Sequence, residues 1–218
     1  MSVSFATTTF APVVLGFFGL GTGYLIYGPQ EAFGFPARDA SVDRATGIWG
    51  LWLPGFCQFV TGIYLFGALT WFESLKNPAL YMAAVAFTAY GIHWFALGWN
   101  RYQGNDSRPT GLMSISFTVL SVLGLFVFFS ASVWPVGVLF TLLALVYISE
   151  FCASFRIGAP KASGADAKTG ESGAGAPSGA NPAERVLGIV HIVTGGWLMY
   201  LTVATTLDIA LHYTLPAG

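Results

Sequence analysis

The chain has 218 residues, of which 55% are hydrophobic and only 9% charged, and its net charge is -1. An ordinary soluble domain carries roughly a quarter charged residues, so this chain has too few to cover a water-facing surface. The composition therefore predicts a membrane protein with a lipid bilayer as its main solvent. It also excludes nucleic acid as a partner, because phosphate binding needs a basic surface.

Six apolar segments follow in chain order, and a helix needs about 20 such residues to cross a bilayer core. They cover residues 10–27, 45–72, 79–99, 111–134, 135–155 and 186–207. The fourth and fifth are together too long for one crossing. Trp134-Pro135 divides them, because proline disfavours a helical conformation in the residue before it. The sequence thus predicts an all-α fold, a single six-helix transmembrane domain over residues 1–218.

The connecting segments predict how the helices are oriented. Residues 28–44 contain two prolines and several charges and are expected to form a surface loop, whereas residues 156–185 are rich in Ala, Gly and Ser and are expected to be flexible. Eight of the nine basic residues lie in the first, third and fifth loops, and only Lys76 lies on the other side. The positive-inside rule then places these loops in the cytoplasm and both termini outside a plasma (inner) membrane.

Polar residues inside the predicted spans are the candidates for function. Gln58 and Thr61 share a face of the second span, His93 lies in the third and His191 in the sixth. A polar side chain in hydrocarbon is costly, so it either lines a solute path or bonds to a neighbouring helix. Both interpretations stay open for these four residues. Glu150, the one acidic residue inside the predicted spans, is either an interfacial carboxylate or a proton-handling one.

The sequence favours a small-solute pore or transporter over other classes of membrane protein. His93 and His191 could also ligate haem, so a haem protein or an integral enzyme is the rival class. Neither cysteine, Cys57 or Cys152, belongs to a metal-binding spacing, and no catalytic motif is present. We therefore expect no bound metal, no cofactor and no enzymatic activity.

Three segments resemble motifs of the acetate uptake transporter family. The third span, AVAFTAYGIHWFALGW, is similar to that family's A-F-T-S-Y-G-x-F-W signature, and GFCQFVTG in the second span is similar to G-x-x-Q-x-x-x-G. APVVLGFFGLG in the first span resembles a degraded form of the family's N-P-A-P-L-G-L motif. The resemblance implies six helices per subunit, a homohexamer, and uptake of acetate or succinate, either coupled to protons or through a channel.

The resemblance also implies a narrow apolar constriction midway through each subunit, formed here by Phe18, Tyr90 and Leu145. It implies cytoplasmic termini, which is the opposite of the charge count. A second resemblance, to proton-gated urea and short-amide channels, rests on GNDSRP before the fourth span and on the spacing of Thr194 and Trp197. Such channels are also six-span hexamers, with outward termini, and they pass neutral solutes.

Overall fold

The computed structural model of the chain describes residues 12–158 and 181–212, and every regular element within these ranges is a helix. Six long helices form a bundle, which confirms the predicted all-α fold. They are α1 (Val13–Phe33), α2 (Ala40–Trp71), α3 (Ala79–Gln103), α4 (Arg108–Ser130), α5 (Trp134–Ser154) and α6 (Pro182–Leu211). The predicted flexible loop, residues 156–185, falls mostly on residues 159–180, and the first predicted span begins at residue 10. Both lie partly outside the described residues.

Five of the helices, α2 to α6, are long and apolar enough to cross a membrane. The described part of α1 differs because its last turn carries polar residues, Gln30 and Glu31. Its earlier residues are apolar and glycine-rich, and they pack inside the same bundle. The bundle therefore combines five candidate spans with a first helix that brings polar groups into its interior.

The first loop is much shorter than the sequence predicts. Residues 28–44 were expected to lie in a loop, but α1 continues through Pro29 to Phe33 and ends at Gly34, which has left-handed backbone angles. Buried Gln30 and Glu31 have hydrogen-bond partners inside the protein, which stabilises this last turn. The next helix starts at Ala40, where the Asp39 side chain accepts two backbone N–H groups. Only residues 34–39 connect the two helices.

The break between α4 and α5 also lies slightly before its predicted position. The sequence places it at Trp134-Pro135, whereas the turn occupies residues 131–133 and α5 begins at Trp134. Pro135 therefore sits in the first turn of a helix. Its missing N–H has no partner to lose there, so proline starts this helix and does not interrupt it.

Helix α2 contains two wider, π-helical stretches, Leu51–Phe56 and Gly67–Trp71. The first contains Pro54, which cannot donate to the regular backbone ladder. π-helical turns occur frequently at functional sites. Here the first stretch ends two residues before Gln58, the polar residue of the second predicted span.

Glycines allow α1 and α6 to approach each other closely. A Cβ atom on Gly188 would lie 2.7 Å from the Gly28 carbonyl oxygen and would collide with the Ala32 amide nitrogen. A Cβ atom on Gly28 would lie 2.9 Å from the Gly188 carbonyl oxygen. Small residues are the usual means by which membrane helices pack backbone to backbone. The α1–α6 contact therefore requires glycine on both helices.

We predict that Gly188→Ala destabilises the protein by roughly 1–3 kcal/mol, because the added methyl group meets backbone that cannot move aside. Gly196→Ala on the same helix is the matched control, since a Cβ atom there has nothing within 4 Å. The control should be neutral, or more stable by up to about 1 kcal/mol, because alanine favours helices over glycine. The measurement is the temperature at which detergent-solubilised protein loses its folded peak in size-exclusion chromatography. Equal melting of the two variants would contradict the packing described here.

Candidate solute path

A cavity of about 200 Å³ opens at the end of the bundle where α1 begins. We call it the Gln58 cavity, since Gln58 is the polar group on its α2 side. Its walls are otherwise mostly apolar and come from the starts of α1 and α3 and from the α4–α5 turn. The side chains that matter below are those of Phe17, Leu20, Gln58, Phe87, Tyr90 and Leu143.

A second cavity, of about 330 Å³, lies at the opposite end. We call it the arginine vestibule, because four arginines line it together with four acidic residues. They are Arg38, Arg101, Arg108 and Arg156, with Glu31, Asp106, Glu150 and Glu184. At its rim, hydrogen bonds from Arg108 hold the pKa of the Asp106 carboxyl below its usual value.

A buried layer of aromatic side chains separates the two cavities, which share no lining residue. On α1, Tyr24 lies one turn from Leu20 of the first cavity and one turn from Tyr27 of the second. On α3 and on α5, too, a residue of the layer lies between a residue that lines the first cavity and one that lines the second. The layer consists of Tyr24, His93, Trp94 and Tyr147, each at most 4% exposed. The two cavities and this layer follow one another along the bundle and make up the candidate path, which the layer closes in its middle.

Gln58 is fully buried, and neither its amide oxygen nor its amide nitrogen has a hydrogen-bond partner among the described residues. A buried amide without partners costs about 1–3 kcal/mol, so most such groups are paired. Gln58 lines the cavity, where a solute could supply both partners. Thr61, on the same face, instead donates to the Cys57 carbonyl of its own helix at 2.8 Å, and it does not line either cavity.

Tyr90 is the one residue of the predicted constriction that reaches the path. Its ring lines the Gln58 cavity and stacks on Tyr147 of the buried layer at 5.6 Å between centroids. Its hydroxyl shares a hydrogen bond with Ser121 of α4 at 2.9 Å. The ring is therefore held in position between the cavity and the layer.

Phe18 and Leu145, the other two residues of the predicted constriction, lie on the outside of this subunit. Phe18 is 44% exposed and Leu145 is 46% exposed, and neither lines a cavity. Successive residues of a helix point about 100° apart, so an assignment that shifts by one or two positions changes the face. Phe17 and Leu143 occupy the cavity wall in their place.

The two histidines lie on different helices, and each faces a glutamate. His191 shares a 2.6 Å hydrogen bond through Nδ1 with Glu31, and its ring stacks on Tyr24 at 4.7 Å. His93 shares a bond through Nδ1 with the Tyr147 hydroxyl at 3.3 Å, while its Nε2 points at Glu150, 3.8 Å away. In the described part of the chain, no group of three or more His, Cys, Asp or Glu residues could hold a metal ion.

Sequence reasoning missed the charged network that closes the vestibule wall. Asp43 is buried and accepts hydrogen bonds from Arg38 at 3.0 Å and from Arg101 at 3.1 Å. Arg101 also donates to Gln30 and lies 4.4 Å above the ring of Tyr27. Buried charges persist when they are paired in this way. The available signal was a run of charges just before an apolar segment, which resembles an ordinary loop.

One of three comparisons with known proteins finds a match, and that match concerns the fold. The structure is similar to a solved structure described as the bacterial acetate channel SatP, with a TM-score of 0.69 and 16% sequence identity. The match covers 97% of this chain and all of the other one. No family model matches the sequence, and no curated protein matches it. At this identity the likeness establishes a shared fold: an all-helical membrane bundle of the kind seen in that channel.

We predict that Gln58→Leu raises stability by about 1–3 kcal/mol, because it removes a buried amide without partners and keeps its volume. Gln30→Leu is the matched control, since Gln30 is equally buried but donates to Thr46 at 3.0 Å and accepts from Arg101. The control should lower stability by a similar amount. Unfolding in denaturing detergent, followed by tryptophan fluorescence, measures both. Two destabilised variants would show that Gln58 has partners in the folded protein.

Proposed function

We propose that this protein carries short carboxylates, with acetate as the reference solute and succinate as a larger one, across a plasma (inner) membrane. The solute passes through each subunit, from the Gln58 cavity across the aromatic layer to the arginine vestibule. One observation carries this proposal: the Gln58 amide, which has no hydrogen-bond partner among the described residues, faces a cavity whose described lining contains no basic residue, and arginines line the opposite end. The fold shared with an acetate channel supports it.

The electrostatics of the path favour a neutral solute in its middle. None of the described residues that line the Gln58 cavity is a lysine, arginine or histidine, so none of them could balance a carboxylate. Moving an unpaired carboxylate from water into such an environment costs tens of kcal/mol, whereas a neutral polar group costs only about 2–7 kcal/mol. The acid form, with its proton, therefore crosses, and uptake is coupled to protons.

The arginine vestibule suits the ionised form of the same solute. Arg156 lines this cavity together with Arg38 and Arg101, and water reaches the cavity from the end of the bundle. Four acidic side chains line the same cavity, and Arg38, Arg101 and Arg108 are paired with carboxylates. Arg156 forms no ion pair within the described part of the chain, so it is the arginine that can attract an anion there. A carboxylate that has lost its proton is thus stabilised at this end of the path.

A urea or short-amide channel is the alternative. The Gln58 amide has one donor group and one acceptor, so it can bond to an amide solute as well as to a neutral acid. The absence of cations from the Gln58 cavity is compatible with either solute. The two candidates differ in whether solute movement carries a proton.

The assembly that we propose is a homohexamer whose subunits each contain a path. Large apolar side chains remain exposed on the outer faces of the helices, among them Phe18, Trp52, Phe56 and Leu145. Lipid or neighbouring subunits cover such faces in a membrane. In the proposed assembly, Phe18 and Leu145 would contact neighbouring subunits or lipid.

The test is flux into liposomes that contain the purified protein, with labelled acetate and labelled urea measured side by side. We expect acetate to enter faster than in protein-free liposomes, and faster still when the outside is more acidic. Urea should not exceed the protein-free rate. Rapid urea flux that does not respond to the pH gradient would favour the alternative function.

We predict that Tyr90→Ala weakens discrimination between acetate and succinate, because the ring stands between the cavity and the layer. Phe18→Ala is the matched control, since its ring faces outward, and it should leave the uptake ratio unchanged. Removing a buried aromatic ring also costs roughly 3–5 kcal/mol, so uptake is normalised to assembled protein. A ratio that stays constant in Tyr90→Ala, or that shifts in Phe18→Ala, would contradict this assignment.

A further inference from the structure

Where the aromatic layer meets the arginine vestibule, two buried side chains each have one polar atom without a hydrogen-bond partner among the described residues. The Oε2 atom of Glu150 and the Nε2 atom of His93 have none among the described residues, although both side chains are at most 8% exposed. The Nε2 atom lies 3.8 Å from the other carboxylate oxygen, Oε1, which is too far for a hydrogen bond. Nε2 and Oε1 therefore face each other just beyond hydrogen-bond distance, and Oε2 is free to accept a proton or a hydrogen bond from a solute.

The second His–Glu pair shows by contrast what a satisfied arrangement looks like. His191 and Glu31 are 2.6 Å apart and hydrogen-bonded. This pair is tied to the α1–α6 contact, and Tyr24 stacks on the imidazole. A structural role accounts for Glu31 and His191. It does not account for Glu150 and His93, because Oε2 of the first and Nε2 of the second are buried without a partner among the described residues. Each such atom costs about 1–3 kcal/mol.

Glu150 and His93 lie between the Gln58 cavity and the arginine vestibule, so the pair is close to both halves of the path. Glu150 lines the arginine vestibule. His93 belongs to the aromatic layer, and its neighbour Tyr147 stacks on Tyr90 of the Gln58 cavity. When Tyr147 donates its hydroxyl proton to Nδ1, the ring proton of neutral His93 sits on Nε2 and points at Glu150. The pair thus lies where a solute leaves the apolar half and meets water.

We propose that Glu150 and His93 form the proton-transfer site at which the solute changes between its acid and its carboxylate, an inference that rests on the proposed function. Acetic acid arriving through the layer gives its proton to the Glu150 carboxylate. The O–H bond of the acid breaks, an O–H bond forms on Glu150, and acetate leaves toward the arginines. Glu150 then releases the proton to water in the vestibule, and the sequence runs equally in reverse.

Other charged and titratable groups surround this site and set its protonation. Helix α1 contributes Tyr24 and Glu31, α6 contributes His191, and α5 itself contributes Tyr147, while Arg101 and Arg156 line the vestibule beyond. The Nε2 atom of His93 points at the carboxylate, so we assign His93 as a positioning residue and Glu150 as the group that carries the proton.

The experiment compares Glu150→Gln with Glu73→Gln in liposomes that contain a trapped pH indicator. Glutamine keeps the size of glutamate but cannot take up a proton, and Glu73 makes the same chemical change on an exposed loop at the other end. We expect Glu150→Gln to lower acetate-driven proton flux by about a hundredfold, the usual scale for removing a proton-transfer group. Glu73→Gln should leave the flux unchanged. Wild-type flux in Glu150→Gln would overturn the proposal.

A second measurement holds even if Glu150→Gln fails to assemble. Adding carbon-13-labelled acetate to the wild-type protein should produce an infrared band of a newly protonated carboxyl group, which belongs to unlabelled protein and not to the solute. Absence of this band, in protein that does transport acetate, would overturn the proton-transfer site and leave the transport function standing. Wild-type liposomes with no acetate flux above protein-free ones would instead refute the transport function itself.

Discussion

The close approach of α1 and α6 determines where the polar groups inside this bundle can lie. Gly28 and Gly188 let the two backbones touch, and this contact puts Glu31 within 2.6 Å of His191. With a side chain at either glycine, the helices would separate and the buried glutamate would lose its partner. Gly28 and Gly188 therefore keep Glu31 and His191 in contact, although neither glycine bonds to them.

Polarity changes along the bundle in a way that fits a solute with two charge states. The described lining of the Gln58 cavity contains an amide and no cation. The middle of the bundle contains aromatic rings, and arginines line the vestibule at the far end. Each zone by itself is common in membrane proteins. Their order matters, because an anion is stable at only one end and a neutral acid can occupy the rest. The acid–base groups Glu150 and His93 lie at the boundary between the two regimes.

The sequence predicted the six helices well, because apolar runs of bilayer length are a strong signal, and it identified Gln58, Tyr90 and both histidines as interior residues. It failed where tertiary partners decide the outcome. Glu31 looked like a loop residue, since nothing local indicates that His191, far along the chain, will meet it. The assignment of Phe18, and not Phe17, to the predicted constriction met a different limit. Adjacent aromatic residues give the same hydropathy, and only the packed bundle fixes which one faces the cavity.

The length of α2 has a consequence for how the protein sits in its bilayer. The helix has 32 residues and so measures roughly 48 Å, while a hydrocarbon core is about 30 Å thick. Tilting alone would need an angle well beyond the average for membrane helices, so the first turns of α2 extend into the headgroup region. Asp43 is in those turns, and it brings Arg38 and Arg101 with it. A thicker bilayer would draw this charged cluster toward hydrocarbon, which makes the protein sensitive to membrane thickness.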